Sequence, residues 1–401
     1  MPARNAGTQL TICGKKFNIA DINKIYIDNA TVTDNEVAVA YESTSAKVTV
    51  AGNVAQYVAP IVTGAHVGII QSNTEDVDGN EITYSLSGTS SDGEFYLKGS
   101  YKCSIDLCGV SLTNLTPVNS GAALHIQNGK RINISVKKDT ENTLADCASP
   151  SDDMAQKAAL YVKGHAEFKG KGTLNVYGRY KHAIKTGEYF TIKNCTVNVK
   201  QSVGDGINCN EYFLMESGAI ALSNIGDDGI QASIDEDIDA TAETTDHEDE
   251  NSGNVYIQDG TISGSISTAA AKGVKSDGAM NISGGAINLT VSGGGAIDYT
   301  LDSSGNPTTT FSSTSACSAL KSDGDMTISG GTLKLTATGA GGKGLSGDGN
   351  LYVKGGDITV KTTGGIVYYS NKTLATTTSS KTTERLASNY KSSPKGIKFD
   401  D

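Results

Sequence analysis

Along most of the chain, apolar residues alternate with polar ones in short runs, and the runs come in pairs hinged on a small residue. Six such pairs begin at Thr191 (TIKNCTVNV), Leu214 (LMESGAIAL), Tyr256 (YIQDGTISG), Asn281 (NISGGAINL), Thr327 (TISGGTLKL) and Tyr352 (YVKGGDITV). A period of two predicts strands and argues against helices. The small-residue column, Gly172, Cys195, Gly218, Gly260, Gly285, Gly331 and Gly356, reads as a tight corner between two strands. A four-residue unit precedes each pair: polar, Gly or Ala, branched aliphatic, polar. It runs His182–Lys185, Asp205–Asn208, Asp228–Gln231, Lys272–Lys275, Ser318–Lys321 and Lys343–Ser346. The first three begin 23 residues apart, a period that signals a solenoid. Coils stacked at about 4.8 Å set equivalent Ile, Val and Leu side chains above one another. The predicted fold is therefore all-β, a parallel β-helix whose core is a set of aliphatic columns.

Outside the repeat the expectations change. Residues 1–100 hold strand-like but non-repetitive runs and are read as a leader and N-terminal β cap, which an open solenoid end requires. The β-helix is expected over 101–368, interrupted by polar loops near 139–157, 234–252 and 296–316. Residues 369–401 lose the repeat apart from an echo at Gly396-Ile397-Lys398. They are read as a tail that either folds over the last coil or is disordered.

Composition sharpens this picture. The chain has 401 residues, with 47 Gly, 6 Pro and no Trp, which suits short strands and frequent corners. Net charge, 33 minus 44, is −11, so nucleic acid is not an expected partner. No apolar run is long enough to span a membrane. Seven cysteines leave at least one unpaired. Cys195 and Cys209 fit buried small hydrophobes, and Cys103 with Cys108 are close enough in sequence for a local bridge.

Two features carry candidate chemistry. Asp205 closes one coil and Asp227-Asp228 close the next, so stacked coils would bring three carboxylates together, and a calcium ion with oxygen ligands would remove their repulsion. Asp before Gly also makes a good turn by itself. The acidic insertion that follows, with Asp235 and Asp237, extends the candidate metal set, although it lacks the Gly turn of a known ion loop. The second feature is a polar row, His125, Tyr161, Lys185, Asn208, Gln231, Lys275, Lys321 and Ser346, expected on the outer face. Such a row can hydrogen-bond sugar hydroxyls and pair lysines with uronate carboxylates, or be an ordinary solvated face. Arg179 and His182 lie beside it with Tyr177 and Tyr180. The candidate ligand-binding set is Tyr161, Arg179, His182, Lys185, Asn208, Gln231 and Lys275.

The phrases YVKG (161–164), KGTLNVYGRYKHAIK (171–185), SVGDGINCNEYF, NIGDDGIQA and the repeated DMTISGG-like runs resemble a bacterial group of secreted carbohydrate-binding proteins. The resemblance spans roughly residues 80–365. It implies a right-handed parallel β-helix of pectate-lyase-like architecture, bound calcium, and binding of cellulose or acidic sugars outside the cell. The start, MPARNAGTQLTICGKKF, has no apolar signal core, so a signal or anchor segment is expected to lie outside this sequence. The resulting expectation is a monomeric, extracellular or cell-surface, calcium-containing polysaccharide-binding protein. The alternative is a pectate-type lyase that uses Arg179 or Lys185 as base.

Overall fold

A computed structural model of the chain describes residues 9–12, 15–18, 32–234, 250–304, 306–315, 317–339, 342–362, 366–370, 374–376 and 397–400. Every regular element among them is a strand, and no helix is long and apolar enough to cross a membrane. The strands wind into a parallel β-helix with three faces.

The first face stacks His66–Gln71, Glu94–Lys98, Leu124–Gln127, Ala158–Val162, His182–Thr186, Ile207–Asn210, Ile230–Ser233, Lys272–Ser276, Ser318–Ser322, Lys343–Gly347 and Ile366–Ser370, all parallel. The other two faces diverge from one long strand, Cys103–Thr113. Its first half pairs with Ile132–Val136 and its second with Glu141–Ala145, so the two ladders are continuous there and separate further along. Each later coil supplies one strand to each face, as Phe190–Lys193 and Thr196–Ser202 do.

Period-two alternation puts every second side chain inside. One internal column runs Ile184, Ile207, Ile230, Val274, Leu320 and Leu345, each fully buried. Aromatic rings also stack between neighbouring coils. Phe168 stacks on Phe190 at 4.7 Å and Phe190 on Phe213 at 5.3 Å, nearly parallel at 6°. Burying each such side chain contributes roughly 1.5–3 kcal/mol. The corner column is also in register, with Cys195 level with Gly218 and Gly218 with Gly260. Gly260 sits at φ 94°, where a side chain would be strained. On the Cys195 coil Asn194 takes the left-handed φ, 66°, and Cys195 points inward, which explains why that coil needs no glycine.

The structure differs from expectation in four places. Parallel winding starts ahead of residue 101, because His66–Gln71 and Ile82–Ser90 already pair in parallel with later strands. The closing strands are Ser45–Val50 and Val58–Thr63, both antiparallel to their neighbours, which occupies the free edges of the first coil. Residues 141–145 are a strand and not part of a loop. Asn142 is fully buried there, with Oδ1 accepting from the N–H groups of Gly109 and Val110, so its polarity serves the interior. The insertion at 296–316 contains an antiparallel hairpin, Ala296–Leu301 with Pro307–Ser315. Cys103 and Cys108 are both free, one buried and the other half-exposed on the same strand. The echo at residue 397 is a strand, Ile397–Asp400, paired in parallel with Asp357–Thr362.

Candidate functional site

The register pairs Ile184–Ile207, Ile207–Ile230 and Ile230–Val274 place His182, Asp205, Asp228 and Lys272, each two residues earlier, in one vertical column at the corner leading into the first face. Asp205 and Asp228 are therefore neighbours on adjacent coils. The column is stitched by side chains that accept from the amide above. Asp205 N–H donates to His182 Nδ1 (3.0 Å), Asp228 N–H to Asp205 Oδ1 (3.1 Å) and Lys272 N–H to Asp228 Oδ1 (2.6 Å). Asp227 sits beside Asp228, and one carboxylate oxygen from each of Asp205, Asp227 and Asp228 lies within 4.8 Å of the others.

Two of the three carboxylates are buried, Asp205 at 2% and Asp228 at 6% exposed, whereas Asp227 faces solvent. Burial pushes Asp205 up to about 6, with Asp227 adding to the effect and an Asn208 hydrogen bond opposing it. Burial and then the Asp205 carboxylate push Asp228 up to about 7. His182 is pushed down to about 3 by burial and by Lys181, Lys185 and Lys157. Its ring is thus neutral and accepts the Asp205 amide, so the 3.4 Å approach of His182 Nδ1 to Asp205 Oδ2 is not an ion pair.

The polar row is in register throughout: His125, Tyr161, Lys185, Asn208, Gln231, Lys275, Lys321 and Ser346 are level partners on successive first-face strands. It is not a uniformly solvated face. His125, Tyr161, Lys185 and Ser346 are each less than 10% exposed. The His125 ring lies edge-on between Tyr96 and Tyr161, and Ser120 Oγ is 2.9 Å from its Nδ1. Lys185 Nζ donates to Asn208 Oδ1 and Asn210 Oδ1, both at 2.6 Å.

The row and the acidic cluster form one network. Asn208 Nδ2 donates to Asp205 Oδ2 at 2.5 Å. The Gln231 amide is satisfied when its nitrogen donates to the same oxygen (3.3 Å) and its oxygen accepts from Lys275 Nζ (3.1 Å). Lys275 also reaches Asp277 at 3.3 Å. Burial works against the Lys275 charge, but Asp277 and Asp228 raise its pKa overall. A shallow groove lined by small polar residues, among them Ser223, Asn224, Ser263 and Ser265, lies on the third face just before this corner.

The other sequence candidates lie elsewhere. Arg179 belongs to the corner below; its amide donates to Asp146 Oδ1 at 2.5 Å, and burial pushes that carboxyl up to about 6 even though the Arg179 amide and charge oppose the rise. Asp235 and Asp237 lie outside the described residues. Lys321 is paired with Asp323 (2.5 Å) and Asp348 (2.7 Å). Sequence reasoning passed over Asn210, which holds Lys185, and Lys272, whose amide caps Asp228. Lys272 was visible as the next rung of the Asp205–Asp228 column; Asn210 had no signal beyond following Asn208 by two.

All three side chains at the corner are hard oxygen donors, Asp205 Oδ1 and Asp228 Oδ1 each accept a single amide hydrogen bond and keep a second lone pair, and Asp227 leaves the cluster open to solvent. This donor set fits calcium, which accepts several oxygens in loose geometry.

Residues 72–365 match the family described as "Carbohydrate-binding domain-containing protein". Among solved structures, the polysaccharide lyase-like protein from C. thermocellum, a gadolinium derivative, is similar in fold: TM-score 0.50, 20% identity, 64% of this chain and 92% of that one covered. Among curated proteins none matches the chain.

Proposed function

Because the chain belongs to the family of carbohydrate-binding domain-containing proteins, we propose that it is an extracellular polysaccharide-binding protein for acidic, uronate-rich or plant cell wall glycans, with calcium at the contact. Asp205, Asp227 and Asp228 would hold the ion, and Lys185, Asn208, Gln231 and Lys275 would flank it. The observation that carries this reading is the convergence of three carboxylates, one oxygen from each within 4.8 Å of the others and two of them buried, where burial holds the Asp205 and Asp228 pKa values up despite Lys275 and Lys272. Calcium supplies that charge. It also answers the problem of recognising a polyanion with a chain of net charge −11, since the ion attracts the uronate where the protein surface repels it.

The geometry favours binding over lyase chemistry. A lyase base must be deprotonated and free to reach the substrate, yet Lys185 donates to two amide oxygens and is 7% exposed. Arg179 acts on Asp146, one coil away. The test is retention on immobilised polygalacturonate with calcium and after complete chelation, run beside an ultraviolet assay for unsaturated product. Calcium-dependent retention without product is expected. Unchanged retention in chelator would remove the ion from the proposal, and product lost in Lys185→Ala or Arg179→Ala would replace binding by catalysis.

A further inference from the structure

The turn between the first and second faces is a glycine column with two exceptions. Ala166, Phe190, Phe213, Val255, Met280, Met326 and Leu351 are register partners. The residue two before each is Gly164, Glu188, Glu211, Gly253, Gly278, Gly324 or Gly349. Glycine is favoured by packing: a Cβ would meet Lys130 O at 2.5 Å from Gly164 and Ser252 O at 2.1 Å from Gly278. Glu211 also takes φ 63°, a conformation that side-chain-bearing residues rarely adopt. Both glutamates stand on adjacent coils and turn towards the same imidazole, His165, on the coil below. Glu188 Oε2 is 2.6 Å from His165 Nδ1 and Glu211 Oε2 is 3.5 Å from Nε2. One donor atom from each of the three residues lies within 4.8 Å of the others. The Glu211 side chain is 2% exposed, and its Oε2 accepts no hydrogen bond.

We propose that His165, Glu188 and Glu211 form a second metal site, separate from the aspartate corner, which takes a divalent transition-metal ion of the zinc class. An imidazole nitrogen beside two carboxylates is a borderline donor set that suits zinc, whereas calcium prefers oxygen alone. Each ring nitrogen faces a carboxylate. The nitrogen that does not bind therefore keeps an acceptor for its N–H, the usual way a metal-bound imidazole is oriented. Tyr189 holds the ring in place at 4.3 Å between centroids and is itself anchored by donating to Glu167 Oε1. Glu188, 26% exposed, leaves a path to solvent.

The test is a cobalt titration of the intact chain after chelation and reloading with excess calcium, which occupies the oxygen-only corner. One equivalent of Co2+ with visible d–d bands is expected, displaced by Zn2+. Glu211→Gln and His165→Gln should weaken binding by at least the roughly 10–100-fold that loss of an outer-shell partner costs. Asp228→Asn should leave it unchanged, so failure of the calcium reading and failure of this one are distinguishable. No stoichiometric Co2+ uptake by the wild-type chain overturns the proposal and leaves His165 as a bridge between two glutamates. Uptake unaffected by both substitutions overturns it equally.

Discussion

Neutralising Asp228 separates the folding cost of the aspartate corner from its function. Folding raises the Asp228 pKa from 3.8 to about 7, chiefly by burial and then by Asp205. At about 1.4 kcal/mol per tenfold, ionising it in the folded protein costs roughly 4 kcal/mol. The folded state holds the proton where the unfolded chain has released it, so stability falls as pH rises from about 4 to 7, and the deficit is complete above that window. Asparagine has the same shape and keeps an oxygen to accept the Lys272 amide, but carries no charge. In chelator, urea melts should show Asp228→Asn more stable than wild type by up to about 4 kcal/mol near pH 8 and about 2 kcal/mol near pH 5, with no difference below about pH 4. Calcium narrows this gap at high pH. It stabilises the wild type by about 2.7 kcal/mol when present at 100 times its Kd and does little for the variant. A variant less stable than wild type in chelator near pH 8, or one stabilised by calcium as much as wild type, would refute the reasoning.

Two further substitutions test how the scaffold holds the site. Glu94 is fully buried and accepts from the amides of Val118, Asn119 and Ser120 and the side chain of Asn114, so Glu94→Ala should cost about 3 kcal/mol or more and speed amide exchange across residues 114–120. Phe190 is the middle ring of the Phe168–Phe190–Phe213 stack; Phe190→Ala should cost about 3–5 kcal/mol in a denaturant melt while leaving the far-ultraviolet strand signature intact.

The coil was legible because alternation and period act on the same residues. Ile192, Val197 and Val199 are read as inward from the pattern and are fully buried. The unit that starts at His182, Asp205 and Asp228 maps directly onto a register column, which is why the repeat alone brings the three carboxylates together. Burial along the polar row was not legible. Nothing in the spacing of Lys185 says that Asn208 and Asn210 fold it down, since that depends on side-chain contacts between coils. Glu141–Ala145 falls in a polar stretch that reads as a loop; Asn142 adds to that polarity, although its amide satisfies backbone groups of the preceding coil. The His165 cluster escaped for a different reason: His165 stands one step out of register with Glu188, so spacing alone does not unite them.

Asp227 offers the most direct test of the central claim, because its exposed side chain can be neutralised without touching the packed core. Calorimetric titration of oligogalacturonate into calcium-saturated wild-type and Asp227→Asn protein should show binding by the wild type and an affinity at least about tenfold lower, or about 1.4 kcal/mol, for the variant. Equal affinities would contradict the claim that a calcium ion at this corner makes the glycan contact.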